Sequence, residues 1–368
     1  MSHFVLETIT PIHIGNGNTL SPYGDYIYDR NTNSIYLIDQ QKLFDAINEY
    51  GDSVMDGYVK MVGANTQQNQ YTLKKLLDEY KIDVSSVSKV RIPAKSPLKS
   101  EQIFETIKSG ARPYIPGSSL KGAIRTALLY THRKEDGYTI NEALVDSGRR
   151  RSDTRKPSPN GEDLFGSFGK DIFKYLHLSD SELLPVDDIE IVKTVTFNLV
   201  KASTDIPIIK EAIPPGRKVH FRMQSKAMRG YHKIPERFSY FYQSDNGQGE
   251  REILQKVNEF TLALLEKELK TLNNHHSSEM APILQLYKRL LGECKQFKEK
   301  QNGALMRIGS GKTFFDNTIS ILLPDQELEK LPLKRKGKGL FPRTRKVTVN
   351  QELFNSVLGW VKINPLQE

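Results

Sequence analysis

An α+β fold with several antiparallel strands is predicted from three features of the sequence. Stretches of strict alternation occur early (residues 3–14) and again in the middle (188–199 and 218–223). Two long amphipathic helical patterns follow at 252–272 and 281–299. Between the strand-rich parts lies one helix with a built-in turn, residues 114–130, reading YIPGSSLKGAIRTALLY. Around it, 368 residues can bury one large core or two modest ones.

In chain order, residues 3–14 read as a strand with Phe4, Leu6 and Thr8 on one face, running into Gly15-Asn16-Gly17. That turn is not a dinucleotide fingerprint, because Leu20 stands at the third glycine position and no helix follows at once. His13 lies beside the turn. Residues 25–29 and 34–38 form a hairpin, and 40–50 and 71–80 are helices with Leu43, Phe44 and Ile47, then Leu73, Leu76 and Leu77, as apolar faces. Residues 102–107 give a short strand.

In the helix at 114–130, Pro116 and Gly117 make the turn and Ser118 or Ser119 caps the first N–H groups. Leu120, Ala123, Ile124, Ala127 and Leu128 form one apolar stripe facing a core. Lys121 and Arg125, four apart, share another face. Free N–H groups, two hydroxyls and two cations at one helix end suit a phosphate.

Residues 149–159, RRRSDTRKPSP, read as an unstructured basic insertion, either an arm along a phosphate backbone or a solvated loop. Strands follow at 175–179, 188–199 and 218–223. The loop before the last carries Ile206, Ile208 and Ile209. His275-His276 reads as a polar turn rather than a metal site, having no acidic or cysteine partner near it in sequence. A strand at 304–308 enters Gly309-Ser310-Gly311-Lys312, flanked by Arg307. Met306 stands where a P-loop needs its first glycine, which excludes nucleotide binding of that kind but leaves an anion-binding turn. Residues 333–346, LKRKGKGLFPRTRK, concentrate seven cations, Arg343 and Arg345 among them, without an acid.

The net charge of +9 favours a polyanionic partner, most simply nucleic acid. The one cysteine, Cys294, precludes an internal disulfide and fits a packed thiol in a cytoplasmic protein. No apolar run is long enough to span a bilayer. No Ser-His-Asp pattern, paired His and Cys motif or acidic metal cluster is present in the sequence, so neither a catalytic site, a metal nor a cofactor is expected.

The motif IPGSSLKGAIRTALL, together with TPIHIGNG (10–17), LFGSFGKDIFKYLHLSD (164–180) and RIGSGKTFFDNT (307–318), resembles the signature of the RAMP superfamily of CRISPR-associated RNA-binding proteins. Within it the chain is most similar to the branch that caps type III-A (Csm) effector complexes at the crRNA 3′ end. The resemblance implies a ferredoxin-like, RRM-type core in residues 1–245, with insertions at about 40–110 and 133–163 and a thumb-like loop at about 200–215. A helical region with a glycine-rich loop would then occupy 246–368. It implies single-stranded crRNA and target RNA as ligands, and the repeating RAMP backbone subunit, the small helical subunit and host nucleases as partners. His13, Gly15, Gly117, Ser118, Ser119, Lys121, Arg125, Arg307, Gly309, Ser310, Gly311, Lys312, Arg343 and Arg345 become the candidate RNA contacts. The alternative within the same superfamily is a metal-independent repeat endoribonuclease, with His13 as general acid–base and Lys121 or Arg125 stabilising the developing phosphorane.

Overall fold

The structure, a computed structural model, describes residues 2–64, 72–99, 101–137, 160–244, 246–275, 277–330 and 342–366. The expected basic arm at 149–159 and most of the basic run at 333–346 lie outside the described residues.

Strand β1 (Ser2–Thr8) alternates as expected, with Phe4, Leu6 and Thr8 buried. It ends before Pro11, earlier than the alternation suggests, since proline has no N–H for a sheet ladder. The hairpin β2 to β4 region follows: β2 (Gly15–Leu20), β3 (Tyr26–Asp29) and β4 (Ser34–Ile38). Helices α1 (Gln40–Asn48), α2 (Asp52–Ala64) and α3 (Leu73–Glu79) then precede β5 (Ser88–Pro93). Strands β3, β4 and β5 make a three-stranded sheet. Against it α1 to α3 bury their own small core of Leu43, Ile47, Tyr58, Leu73, Leu76 and Leu77.

Next come β6 (Ile103–Thr106), the two-residue strands β7 (Lys108–Ser109) and β8 (Arg112–Pro113), and α4 (Gly117–Glu135). A short α5 (Glu162–Phe165), β9 (Leu176–Leu178), β10 (Glu190–Asn198), β11 (Ser203–Thr204), β12 (Ile208–Ala212) and β13 (Lys218–Ser225) follow. The long helices are α6 (Gln248–His275) and α7 (Ala281–Lys300). Beyond β14 (Ala304–Arg307), the helix α8 (Asp325–Lys330) and the strands β15 (Thr344–Asn350), β16 (Leu353–Ser356) and β17 (Trp360–Pro365) complete the fold.

One sheet runs β14-β17-β1-β13-β9, antiparallel throughout. Taken along the chain, β1-α4-β9-β13-α6-β17 is the βαββαβ of a ferredoxin-like, RRM-type core, with β14 added at its edge. The helices α4 and α6 bury Leu120, Ile124, Leu128, Ile253, Val257 and Leu264 in one cluster with Phe4, Leu6 and Phe221. The second sheet runs β16-β15-β10-β12-β6-β2, with β11 folded back on β10. Its β12–β6 pair is parallel. Both sheets draw strands from either side of residue 245.

The β10–β12 connection overlaps residues 200–215, where a thumb-like loop is expected. Ile206 is exposed there (87%), while Ile209 is buried within the sheet.

Candidate nucleic-acid interface

The N-terminus of α4 is built differently from the sequence expectation. Its cap is Pro116, and Ser118 and Ser119 sit inside the first turn without a side-chain capping bond. The carboxylate of Asp180, more than sixty positions away, accepts from Gly117 N–H instead (2.8 Å). Gly117 is needed for that approach, since a β-carbon there would lie 2.6 Å from the Leu178 carbonyl oxygen. Lys121 donates to the Leu176 carbonyl (2.9 Å), and burial holds its pKa below the usual lysine value, Asp171 partly offsetting that and Arg125 adding to it. Arg125 pairs with Asp171 (2.7 Å) and lies 4.8 Å from the ring centres of both Phe165 and Phe173. These two cations tie α4 to the segment leading into β9, and Ser118 is the exposed member of the set.

The second group converges on His13. Its imidazole is buried and hydrogen-bonded through Nδ1 to the Glu211 carbonyl (2.7 Å), so Nδ1 carries the proton. Burial lowers its pKa to about 4; the Glu211 bond raises it and Lys210 lowers it further. The His13 carbonyl accepts from Ser310 N–H (2.8 Å). Gly309 (φ +65) makes this seat, because a β-carbon there would stand 2.5 Å from the same carbonyl. The glycine-rich loop 309–312 is therefore docked on the Gly15 turn, whose Gly15 is exposed.

Buried ion pairs hold the loop from below. Arg307 binds Asp316 (2.9 Å), with both side chains almost fully buried, and also donates to the Gly311 and Leu358 carbonyls. Asp316 in turn accepts from Thr313 N–H. Arg345 pairs with Glu268 (2.6 Å) in the interior. Both arginines thus have their charge committed inside the fold, where they position the loop and β15. Arg343 is half-buried at the start of that segment, its carbonyl accepting from Leu199 N–H. Lys312 is half-buried, and burial depresses its pKa against the pull of Asp316.

The residue that the sequence reading missed is Lys210. It donates to Ser310 Oγ (2.5 Å) from β12, and the charged group bearing most on it is another cation, Lys346. Burial first, and Lys346 second, lower its pKa to about 8. Strand register places Lys210 opposite Val192 and Lys346 opposite Thr196, so both ammonium groups belong to one face of the second sheet. Phe104, opposite Lys210 on β6, and Ile208 are each 42% exposed there. The signal was available: in the apolar run IPIIKEAI, adjacent Lys210 and Glu211 must point to opposite faces. Glu211 goes inward to Lys108 (2.8 Å), which leaves Lys210 on the loop side. Two cations on one sheet face, a serine and a glycine turn, with aromatic and aliphatic surface beside them, can hold a phosphodiester chain and stack its bases.

Among the described residues no cluster of His, Cys, Asp and Glu could hold a metal ion, and no helix is long and apolar enough to cross a membrane. Cys294 is buried, and its thiol is pushed up to about 12 by that burial, as befits a packed side chain.

Comparison with known proteins gives a consistent set. The family model described as RAMPs, the RAMP superfamily, matches residues 5–315. A protein from Methanocaldococcus jannaschii named "CRISPR system Cms protein Csm5" is 25% identical over 97% of this chain and 87% of its own length. One of the same name from Streptococcus thermophilus is 26% identical over 64% of this chain and 68% of its own. A chain of the "Csm-crRNA-target RNA ternary complex in type III-A CRISPR-Cas system" superposes with a TM-score of 0.67 at 25% identity, covering 99% of this chain and 100% of that one. The crystal structure of T. onnurineus Csm5 superposes at 0.65 with 24% identity over 97% and 99%.

Proposed function

The chain belongs to the RAMP superfamily, and from that premise we propose that it is a crRNA-binding subunit of a type III-A CRISPR (Csm) effector complex. The similarity to proteins named Csm5, over nearly the whole chain in one case, supports this reading. Its place is the crRNA 3′ end, where it caps the row of RAMP backbone subunits beside the small helical subunit. The compartment is the cytoplasm.

The observation that carries RNA binding is the Lys210–Lys346 pair. Two like charges, one of them desolvated, gain most from an anion placed between them. Ser310 and the exposed Gly15 turn supply hydrogen-bonding groups alongside. The exposed tip of the β10–β12 loop at Ile206 is the wedge that separates bases.

The role is non-catalytic. His13, the candidate acid–base, is buried with its Nδ1–H committed to the Glu211 carbonyl, which supports a structural part for it. The test is co-purification of the tagged chain from its host, with sequencing of bound RNA. Short RNAs sharing a common 5′ tag, recovered with other Csm subunits, are expected. Recovery of the chain alone with repeat RNA cleaved, the cleavage abolished by His13→Ala, would reverse the assignment.

A further inference from the structure

Beside the cationic pair lies an open cleft of about 240 Å³. Val192, the residue directly opposite Lys210 in the strand register, lines it. Pro11 and Pro215 form apolar walls, and Glu190, Lys95 and Asn355 supply the polar groups. Glu190 is 2% exposed, and its Oε2 is paired with Lys95 Nζ at 3.1 Å. Thr348 hydroxyl and Asn355 Oδ1 are hydrogen-bonded at 2.8 Å, which fixes the amide at the cleft.

The chemistry selects the ligand. Glu190 and Lys95 compensate each other's charge, so the cleft holds no spare cation for a phosphate, while the carboxylate accepts hydrogen bonds from neutral donors. Outside that pair, Lys210 and Lys346 are cations on this sheet face that can take a neighbouring phosphate. The group entering the cleft is then neutral, rich in hydroxyls and covalently attached to a phosphate. A ribose with free vicinal hydroxyls fits, with two O–H donors for one carboxylate and an apolar wall for the sugar. A site of this kind is independent of sequence, and it distinguishes RNA from DNA through the 2′-OH.

We propose that the Glu190–Lys95–Asn355 cleft captures the 3′-terminal ribose of the bound RNA, with the last phosphodiester on Lys210 and Lys346. This rests on the 3′-end reading above and gives it an atomic basis. A 3′-phosphate would bring a dianion into a cleft whose lysine is already paired with Glu190 and be disfavoured.

The complex is reassembled around the tagged full-length chain with an equimolar mixture of two crRNAs that differ only in carrying a 3′-hydroxyl or a 3′-phosphate. Captured RNA is scored by end group. Enrichment of the 3′-hydroxyl species by about tenfold is expected, the size of one lost hydrogen bond to a charged group. Glu190→Gln, which also frees Lys95 from its partner, should bring the ratio to one or below. Asn355→Ala, at an exposed position that leaves the core intact, should reduce the ratio as well. Equal capture of both ends by the wild-type chain overturns the inference and leaves the RNA-binding reading standing. So does enrichment that survives both substitutions. Capture of no RNA at all overturns the RNA-binding reading itself.

Discussion

His13 shows how one residue's surroundings decide its chemistry. In an exposed loop it would titrate near its ordinary 6.5; buried against Glu211 and Lys210 it titrates near 4. The unfolded chain therefore binds a proton at His13 below about pH 6.5 that the folded chain refuses until about pH 4. Its contribution to stability is complete above pH 6.5 and is lost as the pH falls toward 4. Urea unfolding at pH 7.5 and pH 5 should show a decrease, on the order of 2 kcal/mol from this group. His13→Gln should be less stable at pH 7.5 and lose less between the two values. An unchanged pH dependence in that variant would assign the effect elsewhere, with His132, another buried imidazole lowered to about 4, the first alternative.

At the scale of elements, the glycine-rich loop is held by charges beneath it. Arg307 and Asp316 are 3% and 2% exposed, so removing one partner leaves a buried charge unmatched. Asp316→Asn should cost about 3 kcal/mol of folding stability. It should also free the loop, visible as faster amide exchange at Gly311 and Thr313; normal exchange there would show that the backbone bond to His13 suffices. The opposite behaviour is expected at the β10–β12 tip. Ile206→Ala should change stability by less than about 0.5 kcal/mol, as at exposed sites generally, yet weaken RNA retention; full retention would deny it a wedge role.

The elements themselves were largely legible in the sequence, because most announce themselves by period. The alternation of Phe4, Leu6 and Thr8, the stripe Leu120-Ile124-Leu128 and the two long helices all fall where the pattern puts them. Helix α2 was not seen, since Gly57 and Gly63 interrupt a weakly patterned stretch. The α4 cap was misread because a serine at the right place is a local signal, whereas Asp180 reaches Gly117 only through the tertiary fold. The same limit applies to the site. Nothing local tells a buried arginine such as Arg307 from an exposed one, and Lys210 gains its character from burial in the tertiary fold, with Lys346, far along the chain, adding to it.

For the whole molecule, β17 matters more than its terminal position suggests. It lies between β14 and β1, so the core closes only when the last described strand is in place. The net charge of +9 speeds and strengthens encounter with RNA, but it does not locate the site. The locating claim is that Lys210 and Lys346 carry the RNA phosphates, and it is tested most directly by charge reversal in the assembled complex. Complexes captured through this chain should be compared for bound crRNA with and without Lys210→Glu and Lys346→Glu. The account predicts unchanged subunit recovery from a normally folded chain, crRNA occupancy reduced at least severalfold in the double variant, and a salt dependence of RNA release shallower by about 0.7 per lost phosphate contact. Undiminished crRNA with an unchanged salt slope would contradict it.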